Sequence, residues 1–474
     1  MLNAVFGIPN NLRKLLGEGA LSSAFIPVLS RVQHEHPAET SDQPREIARN
    51  LLSLQYLVLV PLLVLAAVFA RPITDTILRF DEAWKQQLSA ELFRWFIHYT
   101  LLISVSAVLV GVLNSCSRFV IPATTPILFS VCVITSVLVF HNSLGLHSMS
   151  LGILMGGLAQ VLFQLPQFRR LGFDLKPSFA FSNPHFRQIL RRWAPVIASS
   201  SVFAINQQIA VFFASGLDDG SSSALANAVV FWQLPQGVFG VSVMTVLFPR
   251  MSREAGTRDL TALRRTVGLG LRHNIALLVP SSIILALFGP EIIAVAFQRG
   301  NFLDWNTLMA SRVLAGYCVG MLGVVVFAFL QRFHYAWGDY RTPTWSAVVV
   351  LVINVSLSYV LKETTLRVAG LSLANSVGFS VGTIILAVNS RRILGGLELR
   401  TIGRVALRTI LATSPAIAGL TLLRTFWGSW WSMGSTFGNL LRLLGSGTLV
   451  VGVTVAMYVL LRMEVVDLVR RRRR

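Results

Sequence analysis

What most constrains this chain is that apolar runs long enough to cross a bilayer recur from one end to the other. A helical span needs about 20 predominantly apolar residues. Thirteen such runs can be read, near 2–29, 50–70, 93–114, 119–140, 148–166, 193–215, 222–248, 270–289, 308–331, 344–361, 368–389, 404–424 and 440–461. They are continuous rather than alternating, which argues against a membrane β-barrel. Charged residues are only 13% of the chain, against about 25% in soluble domains. The expected fold class is all-α: a polytopic membrane protein with about thirteen transmembrane helices and no soluble domain larger than a loop.

The formal charge of +20 would point to nucleic acid in a soluble protein. Here it follows from the enrichment of Lys and Arg in cytoplasmic loops, so no nucleic-acid partner is expected. About 29 of the 41 basic residues fall in alternate loops. This bias places the C-terminus in the cytoplasm, and thirteen crossings put Met1 outside. One more helix upstream would bring both ends inside, so the start reads as truncated or misassigned. Cys116, Cys132 and Cys318 are isolated within apolar segments, a set that builds neither a disulfide framework nor a zinc site.

A weak internal repeat accompanies the spans. Asn3-Ala4-Val5 recurs as Asn227-Ala228-Val229, and Phe25-Ile26-Pro27 as Leu247-Phe248-Pro249. Arg118 and Pro122 recur as Arg341 and Pro343, all at offsets of about 221 to 224 residues. Both copies begin at an odd-numbered span, so they run in the same direction, with a substrate site expected between them. Gly152 with Gly156, Gly316 with Gly320 and Gly378 with Gly382 have the spacing that lets helices approach closely. Pro9 and Pro235 fall at comparable points of the two copies, and broken helices line the pathway in many transporters.

Catalytic constellations are absent: there is no Walker loop, HExxH or GxSxG. His34-Glu35-His36 reads as a solvated loop, and Asp218-Asp219 as a turn or a weak cation site. No cofactor or metal is expected. Arg13 and Lys14 are different, because apolar sequence resumes beyond them and runs to Leu29. Charges at membrane depth face a cavity or a partner. Glu18 lies four residues after Lys14, so the two could pair on one helix face. That would leave Arg13 to meet an anion, for which its planar fork suits a phosphate. Asn10, Asn227 and Gln233, with Pro9 and Pro235, are candidates to line the same cavity. Asn206, Gln207, Gln208, Asn354 and Asn375 could line it too or bond between helices.

The run IPNNLRKLLGEGALSSAFIPVLSR resembles the signature of the MurJ/MviN family, the bacterial lipid II flippases. The likeness continues through VLNSCSRFVIPATTPILFS, QLPQGVFGVSVMTVLFPRMSR and FLQRFHYAWGDYRTP, to about residue 345. It implies a fold shared with multidrug exporters of the MATE type: two lobes, here 1–192 and 193–402, and two extra C-terminal helices with a basic tail, 403–474. It implies transport of lipid II from the cytoplasmic to the outer leaflet by alternating access. Arg13, Lys14 and Glu18 match the family's basic pair and acidic residue. It also implies the bacterial inner membrane and its lipids as surroundings, and the peptidoglycan synthesis machinery as a partner. Two departures stand out. The family's first helix would lie before Met1, and Val229 and Val230 stand where the family often carries an acidic–basic pair. Another exporter of the same superfamily and an inactive scaffold homologue are the alternatives. A polyprenyl-phosphate enzyme would need a large outer loop bearing catalytic residues.

Overall fold

A computed structural model describes residues 2–16, 20–35, 42–80, 82–426 and 436–465. Within these, some side chains, among them those at 12–16, 20–24 and 194–200, lie outside the description. The described residues are helical, without a strand. They divide into two compact units, Met1–Gly216 and Leu217–Arg474.

The first unit contains α1 (Leu2–Leu16), α2 (Ala20–Glu35), α3 (Gln43–Val68), α4 (Ala70–Ile77), α5 (Ala83–Ser115), α6 (Val120–Leu144), α7 (His147–Arg170) and α8 (Pro184–Ser215). The second contains α9 (Ser221–Pro235), a π-helical turn (Gln236–Gly240), α10 (Val241–Gly256), α11 (Leu260–Leu287), α12 (Gly289–Phe297), α13 (Asp304–Val319), α14 (Met321–Trp337), α15 (Arg341–Leu361), α16 (Val368–Ile393), α17 (Leu399–Phe426) and α18 (Thr436–Leu460). Among the described residues, ten helices are long and apolar enough to cross a membrane, with α9, the π-turn and α10 counted as one. The number is eleven if α13 and α14, which meet at 44°, form one bent span. Of the thirteen expected spans, 2–29, 193–215, 404–424 and 440–461 run through residues or side chains that are not described.

Lipid tails are as apolar as leucine, so helices in a bilayer associate by close packing and hydrogen bonds. The glycine pairs do this here. A Cβ on Gly152 would lie 2.8 Å from the Val133 backbone, and one on Gly156 2.7 Å from the Phe129 ring, so α7 sits directly on α6. Gly378 and Gly382 seat α16 on Val350 of α15 in the same way. The third pair lets α13 meet α16: a Cβ on Gly320 would lie 2.4 Å from Cα of Ser376. The Ser376 hydroxyl donates to the Gly316 carbonyl at 2.6 Å.

These contacts extend the repeat to whole elements. In both units a long helix (α3, α11) is followed by a short one (α4 of 8 residues, α12 of 9). Then comes a long central element (α5, or α13 with α14), and then a glycine-packed pair (α6 and α7, α15 and α16). The central element ends in the same turn each time. The amides of Ser117 and Arg118 bond the carbonyls of Asn114 and Leu113, and those of Gly338 and Asp339 bond Tyr335 and His334. This is the Schellman arrangement, which needs a left-handed residue just past the helix. Ser117 (φ 60°) and Gly338 (φ 89°) fill that position. Pro122 and Pro343, paired in the sequence repeat, are each the third residue of the next helix.

Candidate functional site

The basic pair sits on α1. Ala4, Val5 and Ile8 of this helix are buried with Phe93, Phe96 and Ile97 of α5. Phe6 packs edge-on against Phe96, with ring centroids 5.5 Å apart. Pro9 lies inside α1 and is buried, and Asn10 is half-buried beside it. Asn11 is 9% exposed and donates to Oε1 of Gln208 on α8 at 3.3 Å. Arg13 and Lys14 follow on the α1 backbone, but their side chains lie outside the description, and Glu18 falls among the undescribed residues 17–19. Beyond these, α2 is anchored by Phe25, Val28, Leu29 and Val32. Phe25 lies where a Cβ on Gly111 of α5 would be only 2.8 Å away.

In the second unit the corresponding stretch is α9, the π-turn and α10. Pro235 ends α9, and as a proline it has no amide to bond the preceding turn. The ladder is repaired locally. The Gln236 amide bonds the Gln233 carbonyl, the Gln236 side chain bonds the Trp232 carbonyl at 3.0 Å, and the Val241 amide reaches back to Gln236. Such π-turns occur often at functional sites. Trp232 is buried and stacks on Tyr317 at 4.7 Å. Gln233 is exposed, while Asn227 and Pro235 are half-buried. Val230 is 52% exposed. Asp218, read as a turn or a weak cation site, lies in the turn before α9 and accepts two bonds from Nη1 of Arg367, at 2.6 and 2.7 Å.

Three polar fasteners were not singled out from the sequence. One face of α3 straps the connection between α7 and α8. Arg49 holds Asp174 through two bonds of 2.7 and 2.6 Å. Asn50 bonds both backbone groups of Ala180, Ser53 takes the Ser178 amide, and Glu46 takes Asn183. The Arg49 guanidinium holds the Asp174 carboxyl below its ordinary pKa, against the opposing effect of burial. In the second unit, Nη1 of Arg272 on α11 reaches Glu398 and its Nε reaches Glu464 at 3.0 Å.

The third fastener is His334, whose Nδ1 lies 3.0 Å from Asp339 and whose Nε2 lies 3.2 Å from the Ser390 hydroxyl. The residue types are those of a hydrolase triad. But His334 and Ser390 are both 0% exposed, so no substrate reaches them and the set ties α14 to α16. Asp339 also caps the amides of Arg341 and Thr342 at 3.1 Å. Burial alone would raise the Asp339 carboxyl, but the bonds to Thr342 and His334 outweigh it and hold its pKa below the ordinary value.

Long apolar helices joined by close glycine contacts and buried polar fasteners define a polytopic helical membrane protein. The chain matches the family described as "Lipid II flippase MurJ" over residues 1–442. It is 31% identical over 448 residues, 94% of this chain and 87% of the relative, to a probable lipid II flippase MurJ of Borreliella burgdorferi. It is 27% identical over 394 residues, 82% of this chain and 76% of the relative, to the lipid II flippase MurJ of Burkholderia cenocepacia. Among solved structures it resembles a lipid II flippase MurJ in an inward closed conformation (TM-score 0.77, 22% identity, 97% of this chain and 92% of that one). It also resembles an inward-facing multidrug resistance MATE family transporter (TM-score 0.69, 15% identity, 83% and 89%). The chain belongs to the MurJ family.

Proposed function

We propose that this protein flips lipid II, the undecaprenyl-pyrophosphate-linked peptidoglycan precursor, from the cytoplasmic to the outer leaflet. The observation that carries this reading is the family match over residues 1–442. The physical task is to take a large polar headgroup through a slab of low dielectric while its lipid tail stays in the bilayer. Alternating access, with a lobe of residues 1–192 and one of 193–402 as its two halves, does this. The helices of 403–474 form a third, C-terminal part. A membrane potential negative inside favours outward movement of an anion by about 2.3 kcal/mol per charge per 100 mV.

In this reading Arg13 and Lys14 meet the pyrophosphate, and Glu18 steadies Lys14. Asn10, Asn227, Gln233, Pro9 and Pro235 line the path. The protein sits in the bacterial inner membrane among its lipids, with the C-terminus in the cytoplasm, and hands its product to the peptidoglycan synthesis machinery. Complementation tests it. In a bacterium depleted of its own lipid II flippase, the chain restores growth, and Arg13→Ala abolishes rescue at unchanged membrane abundance. Failure of the wild-type chain to rescue while it is present in the membrane overturns the reading. Rescue by Arg13→Ala removes Arg13 from the site.

A further inference from the structure

Arg49 and Arg272 are 223 residues apart, within the span of offsets that relates the two copies, and Asp174 and Glu398 are 224 apart. The two arginines occupy corresponding helices, α3 and α11. Their carboxylate partners lie in corresponding places, just after α7 and just after α16. In the first unit Arg49 spends Nε and Nη2 on one carboxylate, in a two-pronged pair. In the second unit the same fork is divided. Nη1 holds Glu398, one residue before α17 begins, and Nε holds Glu464, four residues after α18 ends. The arginine side chain is only 8% exposed.

Packing around the fork is consistent with a fastening point. Ala276, one turn along α11, is buried with Ala412 of α17 and with Tyr458 and Met463 at the end of α18. The Tyr458 hydroxyl donates to the Ala276 carbonyl. Further along, Phe288 meets Ala416, Leu420 and Val450. The helical pair α17–α18 is thus seated along α11, and its two ends converge on one guanidinium.

We propose that Arg272 is a positioning residue. It is a repeat-derived strap whose second prong has been diverted to Glu464, so that both ends of the α17–α18 hairpin are fixed to α11 and the hairpin moves with the second unit during transport. The transport half of this inference rests on the flippase reading above; the fastening half does not. Arginine is suited to the task because its fork holds two acceptors at fixed angles, whereas a lysine ammonium acts as a single point charge.

The test uses the full chain in liposomes, with pairs of nitroxide labels at exposed sites of the second unit. One pair joins Val352 of α15 to Leu407 of α17, a second joins Val352 to Val455 of α18, and a control joins Val352 to Leu308 of α13. Arg272→Gln should broaden the first two distance distributions and leave the control unchanged. Glu464→Gln should broaden only the α18 pair, because Glu398 remains held. Arg272→Lys should lie between wild type and Arg272→Gln. The triple variant Arg272→Gln, Glu398→Gln, Glu464→Gln should be no worse than Arg272→Gln alone.

Lipid II transport per molecule should fall about tenfold in Arg272→Gln and less in Glu464→Gln. Unchanged α17 and α18 distributions in Arg272→Gln overturn the fastening, and broadening of all three pairs reduces Arg272 to a general folding role. Broadened hairpin distances with undiminished transport overturn the positioning role. Broadened distances in a protein whose wild type moves no lipid II uphold the fastening and remove the flippase reading instead.

Discussion

In the first unit α5 runs unbroken for 33 residues, whereas its counterpart in the second is a pair, α13 and α14, meeting at 44°. The difference is local in origin. α5 carries bulky buried side chains through its middle, among them Phe96, Ile97 and Tyr99. The second-unit element has Gly316, Gly320 and Gly323 there, and α16 comes so close that Ser376 and Thr383 bond the carbonyls of Gly316 and Gly323 at 2.6 Å. A glycine offers no side chain to hold the neighbour off and gives the backbone freedom to turn. The same topology is thus unbroken where bulky side chains fill the middle of the helix and bent where a neighbour bonds into its backbone.

The end of this element repeats the lesson. Both units use a Schellman turn, but the first places a serine in the left-handed position and leaves the following helix without a side-chain cap. The second places glycine there and adds Asp339 as cap and His334 as anchor. One turn is strained and plainly built, and the other is relaxed and cross-braced.

The largest expected effect comes from filling the close approach. Gly320→Val should destabilise the protein by about 3 kcal/mol, at the upper end for overpacking, read as a lower midpoint in thermal unfolding in detergent. It should also straighten or separate α13 and α14, so a nitroxide pair with one label on α13 and one on α14 should change its distance. An unchanged midpoint would mean that the contact with α16 is loose, and the account of the bend would fail with it.

Asp339→Ala comes next. It strips His334 of a partner and uncaps two amides, for a loss of roughly 2 kcal/mol. Because the Asp339 carboxyl is held below its ordinary pKa in the folded protein, its contribution is present above the unfolded value of about 4 and is lost as pH falls through the lower folded value. The gap in unfolding midpoint between wild type and Asp339→Ala should therefore narrow with acidification below about pH 4. A gap that stays constant on acidification would dismiss the brace.

The smallest pair of effects has opposite signs. Ser117→Gly should stabilise by up to about 1 kcal/mol, by relieving a left-handed serine, and Gly338→Ala should destabilise by a similar amount. Equal signs in the two measurements would show that the turns are not alike.

The residues that were readable from sequence are those whose role depends on near neighbours along the chain. The glycine pairs announced close packing through their spacing, and Pro122 and Pro343 marked equivalent helix starts. Pro235 marked a break, although the π-turn that absorbs it was not foreseen, because its repair depends on where the Gln236 side chain reaches. Arg49, His334 and Arg272 carry no local sequence signal of their roles. Their partners, apart from Asp339, stand tens of residues or more away, and nothing in the local pattern names them. Asn11 was likewise overlooked beside the more conspicuous Arg13, although its bond to Gln208 ties α1 to α8.

The sequence by itself determined the helical class, the series of spans and the duplicated plan. In a bilayer every backbone group must be satisfied within its own helix, so spans appear as unbroken apolar runs whatever the tertiary arrangement. Only the tertiary structure decided which carboxylates each arginine holds. The partners of Arg49 and Arg272 lie 125, 126 and 192 residues away. A charge at such a separation finds its counter-ion through the packing of helices between them, and that packing is set by shape and small-residue contact.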